Sequence, residues 1–412
     1  MHCRTISFLL LSRALAIQAF AQPTARPLLE SVAQAPALAA ARHRLAAAEA
    51  RIDSSGRLAD PELEGSTSRL NGPMGERRTM YELNIRQPLP KRGERAADRE
   101  RARAGAAMAR ADYAVMAGEL AAETAMALAE AEGAHQRIHI LETQLGRLDP
   151  VLRTIEVRLA AGTTGRIADR LTVQTRIAAM QLMVEEERRM AEDALAEARG
   201  RLGLKPDAPL PAFAAPTTAD IKADDAAALQ LAAARSAEAT ALVKMARASA
   251  NPLTAVGLRL EREKTIGGDE NTVGLAFMTE LPWRSRRYAR AEERAAEAEH
   301  AAAQTDGTAA RYRIAAALTR VDRAERLAAT ARRLSAESRA RLDAEYDAMV
   351  RSAGVGGSGE STVLQIVELL EKATDTELQI IRADTAVRTA CAELWRYLPA
   401  NQFSATTKQE LP

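Results

Sequence analysis

The chain has 412 residues and a net charge of +2, and only 3% of its residues are aromatic. So few aromatic side chains supply little of the apolar area on which large compact cores depend, and charges of both signs are interspersed, which argues against the one-sided basic surface of a nucleic-acid binder. Alanine, arginine, glutamate and leucine dominate instead, a mixture typical of long helices and coiled coils.

The first residues have the pattern of a secretory signal peptide. A basic start and an apolar stretch precede the small-residue site Ala19-Phe20-Ala21, which predicts a signal peptide over residues 1–21. No cysteine follows the cleavage site, so we expect no lipid anchor there, and Cys391 is the single cysteine left after cleavage. No later stretch reaches about 18 apolar residues, so we expect a chain that is soluble outside the cytoplasm or crosses a membrane as a β-barrel.

The chain carries an internal duplication. Two pairs of windows share an extended segment opened by Asx-Pro, a turn rich in Gly or Asn, and an alternating segment closed by proline. They are Asp60–Gly72 with Thr79–Pro90, and Asn251–Glu263 with Asn271–Trp283. Equivalent prolines lie 191 residues (Pro61 to Pro252) and 194 residues (Pro88 to Pro282) apart, and this nearly constant offset indicates a repeated unit.

Three of the predicted strands alternate apolar and polar residues, whereas the first, Glu62–Leu70, is weakly apolar on either face. Tyr81, Leu83 and Ile85 share one face of the second strand, and Glu82 and Asn84 lie on the other. Alternation of this kind is typical of a half-buried strand, and strands of about ten residues with one apolar face suit a membrane barrel. The predicted strands cover residues 62–70, 79–88, 252–263 and 271–281.

A long helical hairpin follows the first pair of strands, over residues 94–203. Its outgoing helix repeats apolar residues at the heptad spacing of a coiled coil. These residues are Ile138, Leu141, Leu145, Leu148, Leu152, Ile155 and Leu159. Pro150 lies inside the run, so we expect a kink or a break there.

The second hairpin is predicted over residues 285–398 and has a looser apolar seam. The residues assigned to it are Leu318, Val321, Leu327, Leu334, Leu342 and Met349. A Pro/Ala linker over 206–216 divides the chain into two structural repeats, 22–205 and 217–398. Residues 399–412 are predicted to form a polar tail.

The stretch "GVGGSGES" at 354–361 resembles a phosphate-binding loop with Glu360 in place of the lysine. Such a loop requires a preceding buried strand, whereas an amphipathic helix precedes this one, and Glu360 would repel a phosphate. The stretch occupies the position that "GTTG" holds in the first repeat. We therefore interpret both as tips of helical hairpins, where glycines reverse the chain.

Taken together, these features resemble the TolC family of outer-membrane efflux channels. The resemblance depends on the motifs "NIRQPLPKRGERAADRERA" and "FMTELPWRSRRYARAEERAAEAE", which look like the family's two exits from strand to long helix. It depends also on "IVELLEKATDTELQ", which looks like the start of the second returning helix. The resemblance covers about residues 25–398, and the element "RQPLPKRGER" looks closest to the heavy-metal (cation) efflux subset.

The resemblance implies a mainly α fold with a small β part, in which three chains form an α-helical barrel continuous with a 12-stranded β-barrel. Each chain would supply four strands, since four strands alone leave open edges that lipid does not tolerate. It further implies a homotrimer in the cell outer membrane with a long periplasmic extension, and a periplasmic adaptor and an inner-membrane pump as partners. No catalytic constellation stands out, so we expect neither enzyme activity nor a cofactor.

By the same resemblance, the tunnel narrows at the hairpin tips. Its acidic residues would be Glu368 and Glu371, i, i+3 neighbours that in three copies would form carboxylate rings favouring cations. Asp169 holds the equivalent place in the first repeat.

The tips themselves are the expected docking sites for the adaptor. The residues concerned are Gly162, Thr163, Thr164, Gly165, Gly354, Gly356, Gly357 and Gly359. Trp283 directly follows a predicted strand and is expected at the membrane interface.

Several alternatives remain open at the level of sequence. Within the channel class, the cargo could be metal cations, drugs or a secreted polypeptide. A periplasmic coiled-coil adaptor would also be secreted, but adaptors carry one hairpin with β-rich modules rather than two hairpins in tandem. His135 and His139, flanked by Glu132 and Glu142, could bind a divalent metal, but their position off the Ile138/Leu141 seam favours an exposed helical stripe.

Overall fold

The computed structural model describes residues 26–71, 77–162, 166–265, 268–280, 283–354 and 362–403. Within them the chain is mainly helical, with one small sheet. The helices are α1 (Arg26–Gln34), α2 (Pro36–Ser54), α3 (Glu94–Ala160), α4 (Ile167–Leu202), α5 (Ala227–Ser249), α6 (Ser285–Gly354), α7 (Thr362–Glu393) and α8 (Ala400–Phe403). The strands are β1 (Glu62–Asn71), β2 (Arg77–Leu89), β3 (Thr254–Thr265) and β4 (Gly268–Thr279). The predicted fold class, a repeated strand-strand and helical-hairpin unit, is confirmed.

The four strands form one antiparallel sheet in the order β1-β2-β3-β4. The central pairing of β2 with β3 joins the two repeats, with Leu83 opposite Leu260 and Ile85 opposite Leu258. A glycine makes this close pairing possible, because a Cβ on Gly257 would lie 2.7 Å from the carbonyl oxygen of Ile85. The sheet therefore depends on both halves of the chain.

The sheet has one apolar and one charged face. The apolar face is exposed; its side chains include Leu63, Leu83, Ile85, Val256, Leu258, Val273, Leu275 and Phe277. The other face carries cross-strand ion pairs, such as Arg86 with Glu64 at 2.7 Å and Arg259 with Glu82 at 3.0 Å. The alternation predicted from the sequence is thus realised, and we call the apolar side the outer face of the sheet.

The helix α3 runs without interruption through Pro150, so the break considered from the sequence does not occur. A proline in a helix crowds the carbonyl of the residue four positions earlier. Here that residue is Gly146, which has open space beside its Cα, since a Cβ added there would meet nothing within 4 Å. Leu148 and Ile155 also hold both sides of the proline in one apolar cluster, which stabilises the continuous helix.

The apolar seam expected on α3 is buried, but the one expected on α6 is partly wrong. Leu141, Leu148 and Ile155 are each at most 2% exposed, whereas Leu327 and Leu334 of α6 are 62% and 50% exposed. The buried face of α6 is made of small residues instead. It comprises Ala289, Ala296, Ala303, Ala310, Ile314, Ala317, Val321, Ala328 and Ser335, most of them alanines. Small side chains let helices approach closely, and this explains why the longest apolar residues do not mark the contact.

The largest core lies midway along the molecule, where α1, α2, α3 and the C-terminal segment meet. Trp395 is wholly buried there beside Leu28, Leu38 and Phe403. Gly118 of α3 permits this contact, because a Cβ at that position would lie 3.0 Å from the carbonyl oxygen of Trp395. This core anchors α3, against which α4, α5 and α7 also pack.

The structure describes the predicted linker, but it describes only the first residue of the loop at 354–361. Leu210 and Phe213 of the linker are partly buried against the core, so this stretch is an ordered strap on the helices. Gly354 is the last residue of α6, and 355–361 lie outside the described residues. The signal peptide and residues 404–412 of the predicted tail also lie outside them.

Candidate functional site

The candidate site lies where the long helices end, remote from the sheet. There α3, α4 and α7 pack through an apolar group that we call the tip cluster. Its buried members are Leu148, Ile155, Val173, Met180, Ile366, Val367 and Leu370. Two of them lie on α3 and two on α4, and the other three belong to the first turns of α7. The cluster therefore fixes the rotation of α7 about its axis and so determines which side chains of α7 face outward.

Glu368 projects away from the tip cluster. Its side chain is 64% exposed and accepts a hydrogen bond from Nζ of Lys372, one turn later on α7, at 2.8 Å. The hydrogen bond and the positive charge of Lys372 hold the pKa of Glu368 below its ordinary value. Glu368 is therefore an ionised carboxylate at neutral pH, with a cation of its own helix beside it.

Glu371 lies at the edge of the same exposed face and is 42% exposed. Its Oε1 atom is 2.9 Å from Nη1 of Arg176 on α4. Arg176 is only 24% exposed, so this ion pair is better shielded from water than a surface pair. The pair ties the returning helix of the second repeat to the returning helix of the first.

Asp169 is in a different environment from the two glutamates. It lies in the first turn of α4 and is 9% exposed. A negative charge there stabilises the positive end of the helix dipole. Among the described residues, no ion pair or hydrogen bond joins Asp169 to Glu368 or Glu371.

The structure places only part of the predicted tips. Gly162 follows α3 with φ of 65°, a left-handed conformation that favours glycine and ends the helix. Gly354 closes α6. The other predicted docking residues lie outside the described residues; they are Thr163, Thr164, Gly165, Gly356, Gly357 and Gly359. Trp283 is 84% exposed and lies between β4 and α6.

Two cations of the site were missed by the sequence reasoning. Lys372 lies four residues after Glu368, a spacing that predicts an ion pair on a helix, so a signal for it existed. Arg176 had no such signal, because its pairing with Glu371 depends on how α4 and α7 pack against α3.

The histidines do not assemble a metal site with their neighbours. His135 and His139 are exposed on α3, and Glu132 and Glu142 are each engaged by an arginine of another helix. In the part of the chain that the structure describes, no group of three histidine, cysteine or acidic residues could hold a metal ion. None of the described helices combines the length and the apolar character needed to cross a bilayer.

Part of the chain matches a known protein family. Residues 28–201 match the family described as "Outer membrane efflux protein". The match lies within the first repeat. No curated protein matches the chain significantly.

Solved structures match almost the whole chain. The outer-membrane channel OprN is 20% identical, with a TM-score of 0.67 over 90% of this chain and 88% of that one. A membrane protein from Pseudomonas aeruginosa is 18% identical, with a TM-score of 0.68 over 90% and 92%. The outer membrane protein VceC from Vibrio cholerae is 16% identical, with a TM-score of 0.68 over 90% and 94%. The fold is that of TolC-like outer-membrane channels.

Proposed function

We propose that this chain is the outer-membrane channel subunit of a tripartite efflux system, and that three copies form an exit duct across the periplasm. The four-stranded sheet carries this proposal. Its outer face leaves Leu275 93%, Phe277 70% and Val273 69% exposed. A soluble protein rarely leaves so many neighbouring apolar side chains in water, whereas lipid would cover them at no cost.

The edges of the sheet support the trimer. Within the sheet, β1 and β4 each pair with one neighbour, so each has an edge of unpaired backbone groups. Such edges are costly in lipid, where water cannot satisfy them. Pairing β1 of one copy with β4 of the next would satisfy both edges, and three copies would close a barrel of 12 strands.

The helices support a duct that is long enough to reach across a periplasm. The helix α3 has 67 residues and α6 has 70, and each is therefore about 100 Å long. Leu327 and Leu334 of α6 are exposed on a single chain. In the proposed trimer they would pack against a neighbouring copy, and the helical barrel would take up the apolar area that one chain leaves uncovered.

The charge of the polar sheet face supports a cationic cargo. Among the described side chains this face carries six glutamates and three arginines, which leaves three net negative charges per chain. The residues are Glu62, Glu64, Glu82, Glu261, Glu263, Glu270, Arg78, Arg86 and Arg259. In a closed barrel this face would line the lumen and favour cations. Heavy-metal cations are the cargo that we propose, with drugs or a secreted polypeptide as alternatives.

The hairpin tips are the proposed docking sites for a periplasmic adaptor, which would connect the duct to an inner-membrane pump. Glu368 and Glu371, with Asp169 behind them, are the proposed constriction. A periplasmic adaptor is the alternative from another class. The sheet argues against it, because an adaptor in water would have no means of covering the apolar face.

Cell fractionation of the full-length chain in a double-membraned host tests the proposal. We expect a detergent-extracted trimer in the outer-membrane fraction whose mature mass lacks residues 1–21. A soluble periplasmic monomer would reject the channel and favour the adaptor.

The constriction is tested by single-channel recording in planar bilayers. Replacing Glu368 and Glu371 by alanine should reduce the permeability ratio of K⁺ over Cl⁻. Asp322→Ala is the matched control, because Asp322 is an exposed carboxylate that also pairs with a cation four residues later on its own helix. Equal ratios in the double variant and the wild type would remove the two glutamates from the constriction.

A further inference from the structure

The outer face of the sheet changes character toward the β-hairpin ends. Counting residues directly opposite one another, the last two rows on this face are polar or basic. They read Thr67-Tyr81-Arg262-Asn271 and Arg69-Thr79-Lys264-Asp269 across the four strands. The next two rows toward the helices are apolar, Leu83-Leu260-Val273 and Ile85-Leu258-Leu275. The two rows beyond them, Gln87-Val256-Phe277 and Leu89-Thr254-Thr279, mix apolar and polar residues. We call Arg69, Arg262 and Lys264 the basic rim.

Side-chain contacts confirm that the basic rim lies on the outer face. Nζ of Lys264 is 5.9 Å from the ring centroid of Tyr81, which is itself exposed on that face. Nη2 of Arg262 is 2.6 Å from a carboxylate oxygen of Asp269. These contacts run diagonally between adjacent rows, as same-face neighbours in a sheet do.

The basic rim has an excess of positive charge. Asp269 engages Arg262. Arg69 and Lys264 are exposed, and no described carboxylate lies within ion-pair distance of either. Two net positive charges per chain therefore face outward, opposite in sign to the polar face of the same sheet.

The position of the basic rim matches a lipid head-group layer. From the row of Leu89 and Thr254 to the row of Tyr81 and Arg262 the strands advance by eight residues, which is about 27 Å along a strand. With the tilt usual in membrane barrels this becomes about 20 Å across the bilayer. The rim begins where the apolar rows end, so in a bilayer its cations would lie near the phosphates of the leaflet remote from the helices.

We propose that the basic rim binds the phosphate groups of anionic lipids in that leaflet. This inference rests on the proposed function, since it requires the sheet to lie in a membrane. Arg69 and Lys264 supply the unpaired charges, and Arg262, held by Asp269, supplies a further fixed donor. The lipid is recognised by its phosphate charge at a defined depth, next to apolar rows that bind the acyl chains.

Native mass spectrometry of the full-chain trimer tests the proposal, with phosphatidylglycerol and phosphatidylcholine as probes. The test variant is Arg69→Gln with Lys264→Gln. The control is Arg86→Gln with Arg259→Gln, which removes two cations from the opposite face of the same sheet. A charge-preserving variant, Arg69→Lys with Lys264→Arg, shows whether the positions tolerate substitution.

The wild type should retain phosphatidylglycerol in preference to phosphatidylcholine, and the test variant should bind phosphatidylglycerol about tenfold more weakly. The control and charge-preserving variants should bind it as the wild type does. The preference should shrink as salt is raised. Equal binding by test variant and wild type, or an equal loss in the control, would overturn the proposal. Competition by inorganic phosphate at the same concentration as the lipid would also overturn it, since a free ion would then be the ligand.

The outcome separates this inference from the function on which it rests. A trimer that conducts in bilayers but shows no preference between the lipids rejects the basic rim alone. A chain that forms no trimer and no conducting pore rejects the proposed channel.

Discussion

The contact between α3 and α7 at Gly133 sets the position of the helix that carries Glu368. A Cβ added at Gly133 would lie 2.3 Å from Oγ1 and 2.8 Å from Cγ2 of Thr385. Thr385 is 4% exposed, and its hydroxyl donates a hydrogen bond to the carbonyl oxygen of Ile381 at 2.8 Å. The threonine therefore cannot turn away without leaving a buried polar group unpaired.

These distances give an expected free-energy change for Gly133→Ala. Alanine in a helix interior gains about 0.5–1 kcal/mol over glycine, but overpacking costs about 1–3 kcal/mol and the lost hydroxyl bond about 1 kcal/mol more. We expect a net loss of about 1–3 kcal/mol in the free energy of unfolding. Gly105→Ala in the same helix is the control, because its Cβ would meet nothing within 4 Å. It should stabilise the protein by about 0.5–1 kcal/mol.

Urea unfolding of the detergent-solubilised protein, followed by circular dichroism at 222 nm, measures these changes. Thr385→Ala removes both atoms with which the new methyl group collides. In the double variant with Gly133→Ala, most of the loss due to Gly133→Ala should therefore disappear, giving a coupling energy of about 1 kcal/mol or more. Strictly additive effects, or equal stabilities of the Gly133 and Gly105 variants, would refute the packing argument.

Three further predictions concern charged groups. Glu187→Gln should lower the free energy of unfolding by about 3 kcal/mol or more, because the Arg137 side chain, only 9% exposed, would lose its counterion. Glu142→Gln is the control, since Glu142 belongs to an exposed ion pair, and it should cost less than about 1 kcal/mol in the same denaturation assay. Arg176→Gln should raise the K⁺ over Cl⁻ permeability ratio in bilayers, because it frees the charge of Glu371, and an unchanged ratio would place Glu371 away from the ion path. The hydrogen bond and positive charge of Lys372 lower the pKa of Glu368, so the share of cation selectivity due to Glu368 should persist as the pH falls through the ordinary glutamate range and be lost only at lower pH. Lys372→Gln should shift this loss to higher pH, and an unshifted profile would contradict the pairing.

Long-period patterns in the sequence predicted most of the architecture. The duplicated Asx-Pro and Leu-Pro windows identified four strands, and the heptad seam of Leu141, Leu148 and Ile155 is buried as expected. No element was assigned to α1, α2 or α5. The helix α1 has only nine residues, and the alanine-rich faces of α2 and α5 lack a contrast between large apolar and polar residues. For the same reason Leu327 and Leu334 were mistaken for the seam of α6, which alanines form.

The site was less predictable, because its chemistry depends on how distant segments pack. The motif "IVELLEKATDTELQ" identified Glu368 and Glu371, and the duplication suggested Asp169. Burial separates them: Asp169 is at the start of α4 with 9% exposure, while Glu368 is open to solvent. A repeat relation in sequence preserves a position along the chain, but the neighbours that cover that position differ between the two halves.

The charges at the tip determine how cation selectivity should be distributed along the proposed duct. Glu368 and Glu371 each have a cation beside them, Lys372 and Arg176, so these four side chains carry no net charge in one chain. The described side chains of the polar sheet face keep three net negative charges per chain even though several form ion pairs. Charges that are not neutralised locally dominate the field in a narrow passage. Part of the selectivity should therefore survive removal of Glu368 and Glu371, because it originates in the sheet rather than at the tip.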